Sequence, residues 1–339
     1  MRIAVDAFGG DNAPDEVIKG AAEAVKTDGI EIILTGDENR IKERMSALGV
    51  SSDRITTENA EGIIRIEDNP LDIRKAKANS SMGRAFGLVN EGKADAFVSA
   101  GSTAAIVVGG SMVTGRLKGV KRPSLVPIMP STTGHYLLLD GGANLECRPE
   151  MLLQFGIMGS IYTKELMGIG KPRVGLLNIG AEEEKGRELE HAAYELLKNS
   201  GLNFIGNVEA RDVPLGACDV LVTDGFTGNV YLKAVEGMGK FMKKALKETI
   251  FGSGLSKVGA LFAMKGIKQV TRQMDYRVVG GSPLLGSAKP VFKAHGSSDA
   301  LAFSFAITAA DTFAKQGVNE KIAEALSAFA AAHKGDQAQ

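Results

Sequence analysis

Short β-branched runs alternate with helical patterns along almost the whole chain, which is typical of parallel βαβ architecture. Several runs are continuously apolar, as expected for strands that helices cover on both faces of a sheet. The predicted strands are RIAVDA, EIILTG, DAFVSA, SLVPIM, YLLLDG, RVGLLNI, NFIGNV, DVLVTD and PVFKA. The predicted helices include residues 14–26, 79–90, 149–167, 186–199 and 227–250. The pattern therefore predicts an α/β fold with a mainly parallel sheet.

Two clusters of proline and glycine predict where a second domain begins and ends. They are RLKGVKRPSLVP, from Arg116, and VVGGSPLLGSAKP, from Val278. Since no low-complexity linker separates the parts, we predict an inserted arrangement. Residues 1–120 together with 290–335 form the first α/β domain, and residues 121–289 form the second.

The bulk composition narrows the classes of partner and compartment. Among 339 residues, 40 Lys and Arg balance 40 Asp and Glu, which argues against nucleic acid as the main partner. Cys147 and Cys218 have neither metal-site spacing nor disulfide density, and they indicate a reducing compartment. We find no signal peptide and no run of about 20 apolar residues, so we expect a cytoplasmic protein.

The ends of the predicted strands share one motif. DAFVSAGSTAA, from Asp95, aligns with DVLVTDGFTGN, from Asp219, and three more strands end in DGGAN, NIGAEEEKG and AHGSSDALAF. Glycine with Ser, Thr or Asn is also the usual chemistry of turns and helix caps, which explains any one of these ends. Five together favour a crevice in which helix N-termini bind phosphate.

The familiar catalytic motifs are missing or incomplete. GLVNEGK, from Gly87, has Ala94 where a P-loop needs a magnesium-binding hydroxyl, and no GxGxxG, GxSxG or zincin pattern is present. Lys185 follows three glutamates at a strand-to-helix junction, where a solvated charge run explains it about as well as a functional role. His295 is either a core histidine or an anion contact. Phosphate cradles without a protein nucleophile suit a reaction in which bound phosphate itself attacks.

Six motifs in fixed order carry a resemblance that covers nearly the whole chain. They are VDAFGGDNAP (5–14), SAGSTAA (99–105), LDGGANLECRP (139–149), NIGAEEEKG (178–186), TDGFTGNV (223–230) and AHGSSDALAF (294–303). On these motifs the sequence resembles the phosphate acyltransferases of bacterial phospholipid synthesis, the PlsX family. It departs from the family pattern at Phe8, Asn12, Gly141 and Ser102-Thr103-Ala104, where the family usually has Asn-Thr-Gly.

The resemblance implies a three-layer α/β/α fold akin to the phosphotransacetylases and the isocitrate and isopropylmalate dehydrogenases. It implies a homodimer that uses no metal and no cofactor. The implied reaction converts acyl-[acyl carrier protein] and inorganic phosphate to acyl-phosphate, which a membrane acyltransferase passes to glycerol-3-phosphate.

The strand ends and the resemblance together define the expected site. Lys185 and Asn229 are our candidates for binding phosphate and stabilising the oxyanion, and His295 or a water for protonating the leaving thiolate. The remaining candidates for binding phosphate or substrate are Asp6, Gly9, Gly10, Ser102, Thr103, Asp140, Asn144, Asp224, Thr227, Gly228, Ser297 and Ser298.

Residues 237–272 form a basic segment with eight Lys or Arg and one acid, Glu248. The long predicted helix, residues 227–250, includes the first part of this segment and is expected to be a core or dimer helix. The stretch from Leu255 to Met264 has the apolar and basic spacing of a tip that enters an anionic membrane, and the same positive surface could instead dock an acidic acyl carrier protein. Its candidate docking residues are Leu255, Lys257, Val258, Leu261, Phe262 and Lys265. We therefore expect peripheral association with the inner face of the membrane.

Three alternatives remain from the sequence. A short-chain phosphotransacetylase acting on acyl-CoA shares the crevice and differs in donor. A decarboxylating dehydrogenase of the same fold needs a cluster of aspartates and a set of arginines that we do not find. A noncatalytic peripheral scaffold would use residues 250–266 alone.

Overall fold

A computed structural model describes residues 1–251 and 280–332 of the chain. Its strands form two sheets, in the orders β3-β2-β1-β4-β12-β11-β5 and β6-β7-β10-β8-β9. The strands are β1 Arg2–Asp6, β2 Glu31–Gly36, β3 Ile55–Asn59, β4 Ala96–Ser99, β5 Ser124–Leu125, β6 Ile128–Ser131, β7 Gly134–Leu139, β8 Val174–Asn178, β9 Phe204–Glu209, β10 Val220–Val222, β11 Ser282–Leu285 and β12 Val291–Lys293.

Helices connect most of these strands. They are α1 Asp15–Ala24, α2 Glu38–Ala47, α3 Ser81–Asn90, α4 Thr103–Val108, α5 Pro149–Met167, α6 Glu188–Lys198, α7 Gly225–Phe251, α8 Ala300–Lys315 and α9 Val318–Ala332. A π-helical turn, Gly109–Val113, extends α4, and short 3₁₀ turns occur at Pro70–Arg74 and Val213–Leu215.

The first sheet is parallel through β3, β2, β1, β4 and β12, and antiparallel at β11 and β5. Alternate residues of β1 enter two different apolar clusters. Ile3 and Val5 pack with residues of α1 and α8, whereas Ala4 packs with residues of α3 and α4. Helices therefore cover both faces of this sheet. The chain order reverses between β1 and β4, which makes their carboxyl ends a topological switch point.

The second sheet is parallel through β7, β10, β8 and β9, with β6 antiparallel at one edge. Helix α5 packs on β7 and β10, and α9 packs on α5. Since α9 follows α8, which packs on β1 and β4 of the first sheet, the last two helices connect the two halves of the structure.

The predicted α/β architecture is confirmed, and α5 has the predicted limits of 149 and 167. The prediction of one strand at SLVPIM is wrong, because β5 and β6 of that stretch lie in different sheets. Pro127 stands between them without a backbone N–H, and the N–H of Val126 turns to Pro283 O at 3.0 Å. β11 was read from sequence only as a domain boundary.

The division into domains stays a prediction. Strands β5 and β11 fall within the proposed second segment, 121–289, yet both pair in the first sheet. Among the described helices, none combines the length and the apolar character needed to cross a membrane.

Candidate active site

Three polar side chains form a row across the carboxyl ends of β1, β4 and β12. Ser99 pairs in register with Lys293, and its hydroxyl donates to Asp6 Oδ2 at 2.7 Å. The Phe8 N–H donates to Asp6 Oδ1 at 3.2 Å. Asp6 is fully buried, and this burial raises its pKa despite these donors. The row lies at the switch point of the first sheet.

Three loops meet above this row. A β-carbon at Gly9 would lie 2.6 Å from Ser99 Oγ and 2.7 Å from Asp6 Oδ2, so only glycine fits there. The loop then joins residues 294–299, because Asp11 N–H donates to Gly296 O at 2.8 Å and the Asn12 amide to Ser298 O at 3.4 Å. The other predicted residues of these loops are Gly10, which has a φ of 99°, Ser102, which is buried, and Thr103, which begins α4.

His295 forms a compact turn with the two serines that follow it. Its Nδ1 lies 2.8 Å from Ser297 Oγ and accepts the Ser297 N–H at 3.2 Å. The Ser298 N–H donates to His295 O at 3.0 Å, and Ser298 is buried. Burial, and then the charge of Lys293, lower the pKa of His295. The ring is therefore neutral near pH 7, with its proton on Nε2 because Nδ1 accepts.

Lys293 is a residue of the crevice that our sequence analysis missed. Its Nζ donates to Ala294 O at 3.2 Å, and burial lowers its pKa to about 8. The charges of Lys233 and Glu236 on α7 and of Asp11 act on it. A single charge inside the apolar strand PVFKA was the available signal, but we interpreted that stretch only as a strand.

Asp140, at the end of β7, holds its own loop together. Its fully buried carboxylate accepts the N–H of Leu125 at 3.1 Å, of Ala143 at 3.1 Å and of Asn144 at 2.6 Å. The Asn144 side-chain amide also donates to it at 2.9 Å. Burial raises the pKa of Asp140, and these donors oppose that shift. In this geometry the Asp140 carboxylate is occupied by the loop that follows it.

Asp224 caps α7. Thr227 donates to it twice, from the N–H to Oδ1 and from the hydroxyl to Oδ2, both at 2.8 Å. Arg187 Nη2 contacts both Asp224 Oδ2 and Glu190 Oε1 at 2.5 Å. Burial opposes ionisation of Asp224, but these donors outweigh it and lower its pKa. Arg187 was not among the predicted residues, although its place directly after NIGAEEEKG was a signal.

Two glycines let α7 begin against the Asp140 loop. A β-carbon at Gly228 would lie 2.0 Å from Asp140 O, and one at Gly142, whose φ is 121°, would lie 3.2 Å from Asn229 Cβ. Asn229 itself is exposed. The close packing therefore places the Asn229 side chain beside the glycine-rich loop after β7.

Lys185 lies in the loop between β8 and α6. Its N–H donates to Glu182 O at 3.2 Å and its carbonyl accepts from Asn178 Nδ2 at 2.8 Å, which fixes the loop. Its side-chain carbons lie beside Gly180, where a β-carbon would be 3.0 Å from Lys185 Cγ, and the residue is exposed. The backbone contacts hold the loop while the side chain extends from it.

The predicted residues thus fall into two groups, one at the carboxyl end of each sheet. The first-sheet group is Asp6, Gly9, Gly10, Ser102, Thr103, His295, Ser297 and Ser298, and the second-sheet group is Asp140, Asn144, Lys185, Asp224, Thr227, Gly228 and Asn229. Helix α7 connects them, since it begins at the Asp140 loop and carries Lys233, Glu236 and Lys240, whose charges act on His295. The docking residues Leu255, Lys257, Val258, Leu261, Phe262 and Lys265 lie outside the described residues.

Within residues 1–251 and 280–332, no group of three or more His, Cys, Asp or Glu side chains could hold a metal ion. That the site works without metal or cofactor stays a prediction.

Solved structures of phosphotransacetylases share this fold. The phosphotransacetylase from Streptococcus pyogenes matches with a TM-score of 0.62 and 19% identity, over 92% of this chain and 94% of that one. The branched-chain phosphotransacylase from Enterococcus faecalis V583 matches with a TM-score of 0.55 and 13% identity, over 93% and 99%. The protein therefore has the three-layer α/β/α fold of the phosphotransacetylases.

Sequence relatives define the family more narrowly. A family model described as "Fatty acid synthesis protein" matches residues 1–321. The chain is 45% identical to the phosphate acyltransferase of Clostridium acetobutylicum over 96% of its own length and 99% of that protein. It is 46% identical to that of Caldanaerobacter subterraneus, over 96% and 97%. The chain belongs to the phosphate acyltransferase family and is an acyltransferase, which rules out the noncatalytic scaffold.

Proposed function

We propose that the enzyme transfers an acyl group from the thioester of acyl carrier protein to inorganic phosphate. The observation that carries this proposal is the position of Lys293 at the end of β12, in register with Ser99 at the switch-point loops. The charges of Lys233 and Lys240 on α7 also act on His295 there, where an anionic substrate gains most from positive charge. The names of the relatives support phosphate as the acceptor.

The thiols do not suit a covalent route. Burial raises the pKa of both Cys147 and Cys218 to about 12, so neither is a thiolate near pH 7. Direct attack by phosphate on the thioester carbonyl then needs only position and charge. The contact between Ser297 and His295 leaves one rival, an acyl-serine, which a phosphate-independent burst of thiol would reveal.

In the proposed reaction a phosphate oxygen attacks the carbonyl carbon, the carbon–sulfur bond breaks and the sulfur takes up a proton. Lys185 and Asn229 remain our candidates for holding phosphate and stabilising the oxyanion, and each such donor lowers the barrier by about 3 kcal/mol. We expect Lys185→Ala to lower kcat by about 100-fold. The exposed Lys171 offers a matched control, since Lys171→Ala should leave kcat unchanged.

The direct test measures free thiol released from palmitoyl-[acyl carrier protein], with and without phosphate, beside acetyl-CoA as donor. Phosphate-dependent release from the carrier alone, together with acyl-phosphate detected by hydroxylamine, supports the proposal. Activity only with acetyl-CoA would instead identify a short-chain phosphotransacetylase. Transfer of the product to glycerol-3-phosphate by a membrane acyltransferase completes the proposed pathway.

We further propose that the enzyme works at an anionic membrane surface through residues 255–265. The support is sequence alone, namely apolar residues flanked by Lys257 and Lys265. Sedimentation with phosphatidylglycerol vesicles should recover the wild type and lose Leu255→Glu. Equal recovery of both proteins would overturn this part.

A homodimer through α7 is also proposed. Phe226, Val230 and Phe241 lie on one side of the helix and are 61%, 58% and 62% exposed. Light scattering should report two chains for the wild type and one for Phe241→Glu. A wild type that is monomeric at micromolar concentration would contradict the proposal.

A further inference from the structure

We propose that Lys293 is the acid that protonates the departing thiolate. This inference rests on the proposed acyl transfer to phosphate and adds a catalytic residue to it. The sequence left this step to His295 or a water.

The first support is the position of Lys293 in the sheet. It ends β12 and pairs in register with Ser99, beside the switch point at which β1 and β4 part. Its strand pairs with β4 on one side and with β11 on the other, and the Ala294 N–H donates to Ser99 O at 2.9 Å. The amine therefore starts from a rigid strand end and not from a mobile loop.

The second support is the set of groups around the amine. The charges of Lys233 and Glu236 on α7 and of Asp11 in the loop after β1 act on it, and His295 follows it on its own loop. The ammonium group is half-buried and donates to Ala294 O, while Lys233 Nζ lies 2.9 Å from Glu236 Oε2. A ligand at this place meets a half-buried cation that is influenced by charges of both signs.

The third support is the similarity between the pKa of the Lys293 amine and that of the leaving thiol. An ordinary alkyl thiol has a pKa of about 8.5, and burial brings the Lys293 amine to about 8. A proton therefore passes from nitrogen to sulfur with little change in free energy, which is the best condition for general acid catalysis. Most Lys293 side chains carry that proton near pH 7.

His295 suits this step less well. Its lowered pKa leaves the ring neutral near pH 7, and its Nδ1 is engaged by Ser297. A neutral imidazole is a far weaker acid than an ammonium group with a pKa of about 8. The ring instead remains a hydrogen-bond donor through Nε2.

The step balances without any further reactant. Hydrogenphosphate attacks the carbonyl carbon, the carbon–sulfur bond breaks, and the Lys293 ammonium gives its proton to the sulfur. The neutral amine then takes the proton that the attacking hydrogenphosphate loses when it becomes acyl-phosphate. Lysine ends the cycle protonated, and the products are acyl-phosphate and free thiol.

The test varies the leaving group. An alkyl thiolate needs a proton to leave well, whereas an aryl thiolate, with its much lower pKa, leaves without one. With an acyl-pantetheine thioester, Lys293→Met should lower kcat by about 100-fold or more. With the matching acyl aryl thioester the same variant should lose no more than about 5-fold, because acid catalysis no longer matters.

Two further variants distinguish a loss of proton transfer from a loss of positive charge and from a loss of folding. Lys293→Arg keeps the cation but cannot release its proton near neutral pH, so it should fail on the alkyl thioester as Lys293→Met does. Lys289→Met, at an exposed lysine just before β12, should behave as the wild type on both donors. Circular dichroism confirms that each variant is folded before the assay.

The outcomes are distinct. Equal losses on both donors would mean that Lys293 only binds anion or supports the fold, and full activity of Lys293→Arg on the alkyl thioester would overturn the proton transfer. A wild type that forms no acyl-phosphate from either donor would instead refute the proposed function, whatever Lys293 does.

Discussion

Gly228 lies directly against the main chain of Asp140, and a β-carbon at Gly228 would come within 2.0 Å of the Asp140 carbonyl oxygen. The contact joins the first turn of α7 to the loop after β7. Since backbone atoms lie on both sides, no side-chain rearrangement can relieve an added atom. The geometry of Asn229, one residue later, depends on this contact.

Gly228→Ala should therefore displace the start of α7, lower kcat by at least about 10-fold and destabilise the fold by about 2 kcal/mol or more. Chemical denaturation and the thiol-release assay measure the two effects. Gly237→Ala is the matched control, because it lies in the same helix with no atom within 4 Å of its added carbon. That variant should gain about 0.5–1 kcal/mol from helix propensity and keep its activity.

Asp224→Asn should destabilise the enzyme at pH 7 by about 2 kcal/mol, because it weakens the bonds to Arg187 and Thr227. The pKa of Asp224 is lower in the folded state than in the unfolded state. Its carboxylate thus contributes stability above the unfolded value of about 3.9, and that contribution is lost as pH falls through the lower folded value. Urea unfolding from pH 7 to pH 3 should show the gap between wild type and variant closing. The exposed Asp53→Asn controls for charge, and a gap that does not depend on pH would contradict the assignment.

NMR can report the state of His295, since the chain has only 4 histidines. Long-range ¹⁵N spectra should assign the proton to Nε2 at pH 7 and give a pKa for the ring below its ordinary value of 6.5. His295→Gln identifies the signal. A neutral ring with its proton on Nδ1 would mean that the Ser297 N–H does not donate to it, and a midpoint above 7 would mean that burial and Lys293 do not lower its pKa.

Lys293 should also leave a signature in stability. Its folded pKa, about 8, lies below the ordinary value of 10.5, so the unfolded chain binds more protons between those two values. The free energy of unfolding of the wild type should therefore rise relative to Lys293→Met from about pH 8 to about pH 10.5, by up to about 3 kcal/mol. Paired urea titrations at pH 7, 9 and 10.5 measure this difference. A difference in the free energy of unfolding that does not change with pH would mean that the amine is solvated in the folded protein and that its pKa is not lowered.

Hydrophobic patterning predicted the architecture because helices bury both faces of the sheets. A strand in such a sheet is a continuous apolar run, as β2 is. The limits of α5 were readable because Pro149 begins the helix and Gly168 ends it in a left-handed conformation. The split of SLVPIM depends on which distant strand each half joins, and local residues do not encode that. Similarly, Lys293 looked like part of a strand because its neighbours Asp11, Lys233 and Glu236 are remote in sequence.

Helix α7 sets a fixed distance between the two groups of predicted site residues. With a rise of about 1.5 Å per residue, the four steps from Asn229 to Lys233 span about 6 Å, slightly more than one turn. In the proposed reaction, that fixed length would set the spacing between an acceptor held at Asn229 and a thioester sulfur released near Lys233. Inserting one alanine between these two positions would turn every later side chain by about 100° while both sheets stayed intact. In that reaction a single helix would set the separation of acceptor and leaving group.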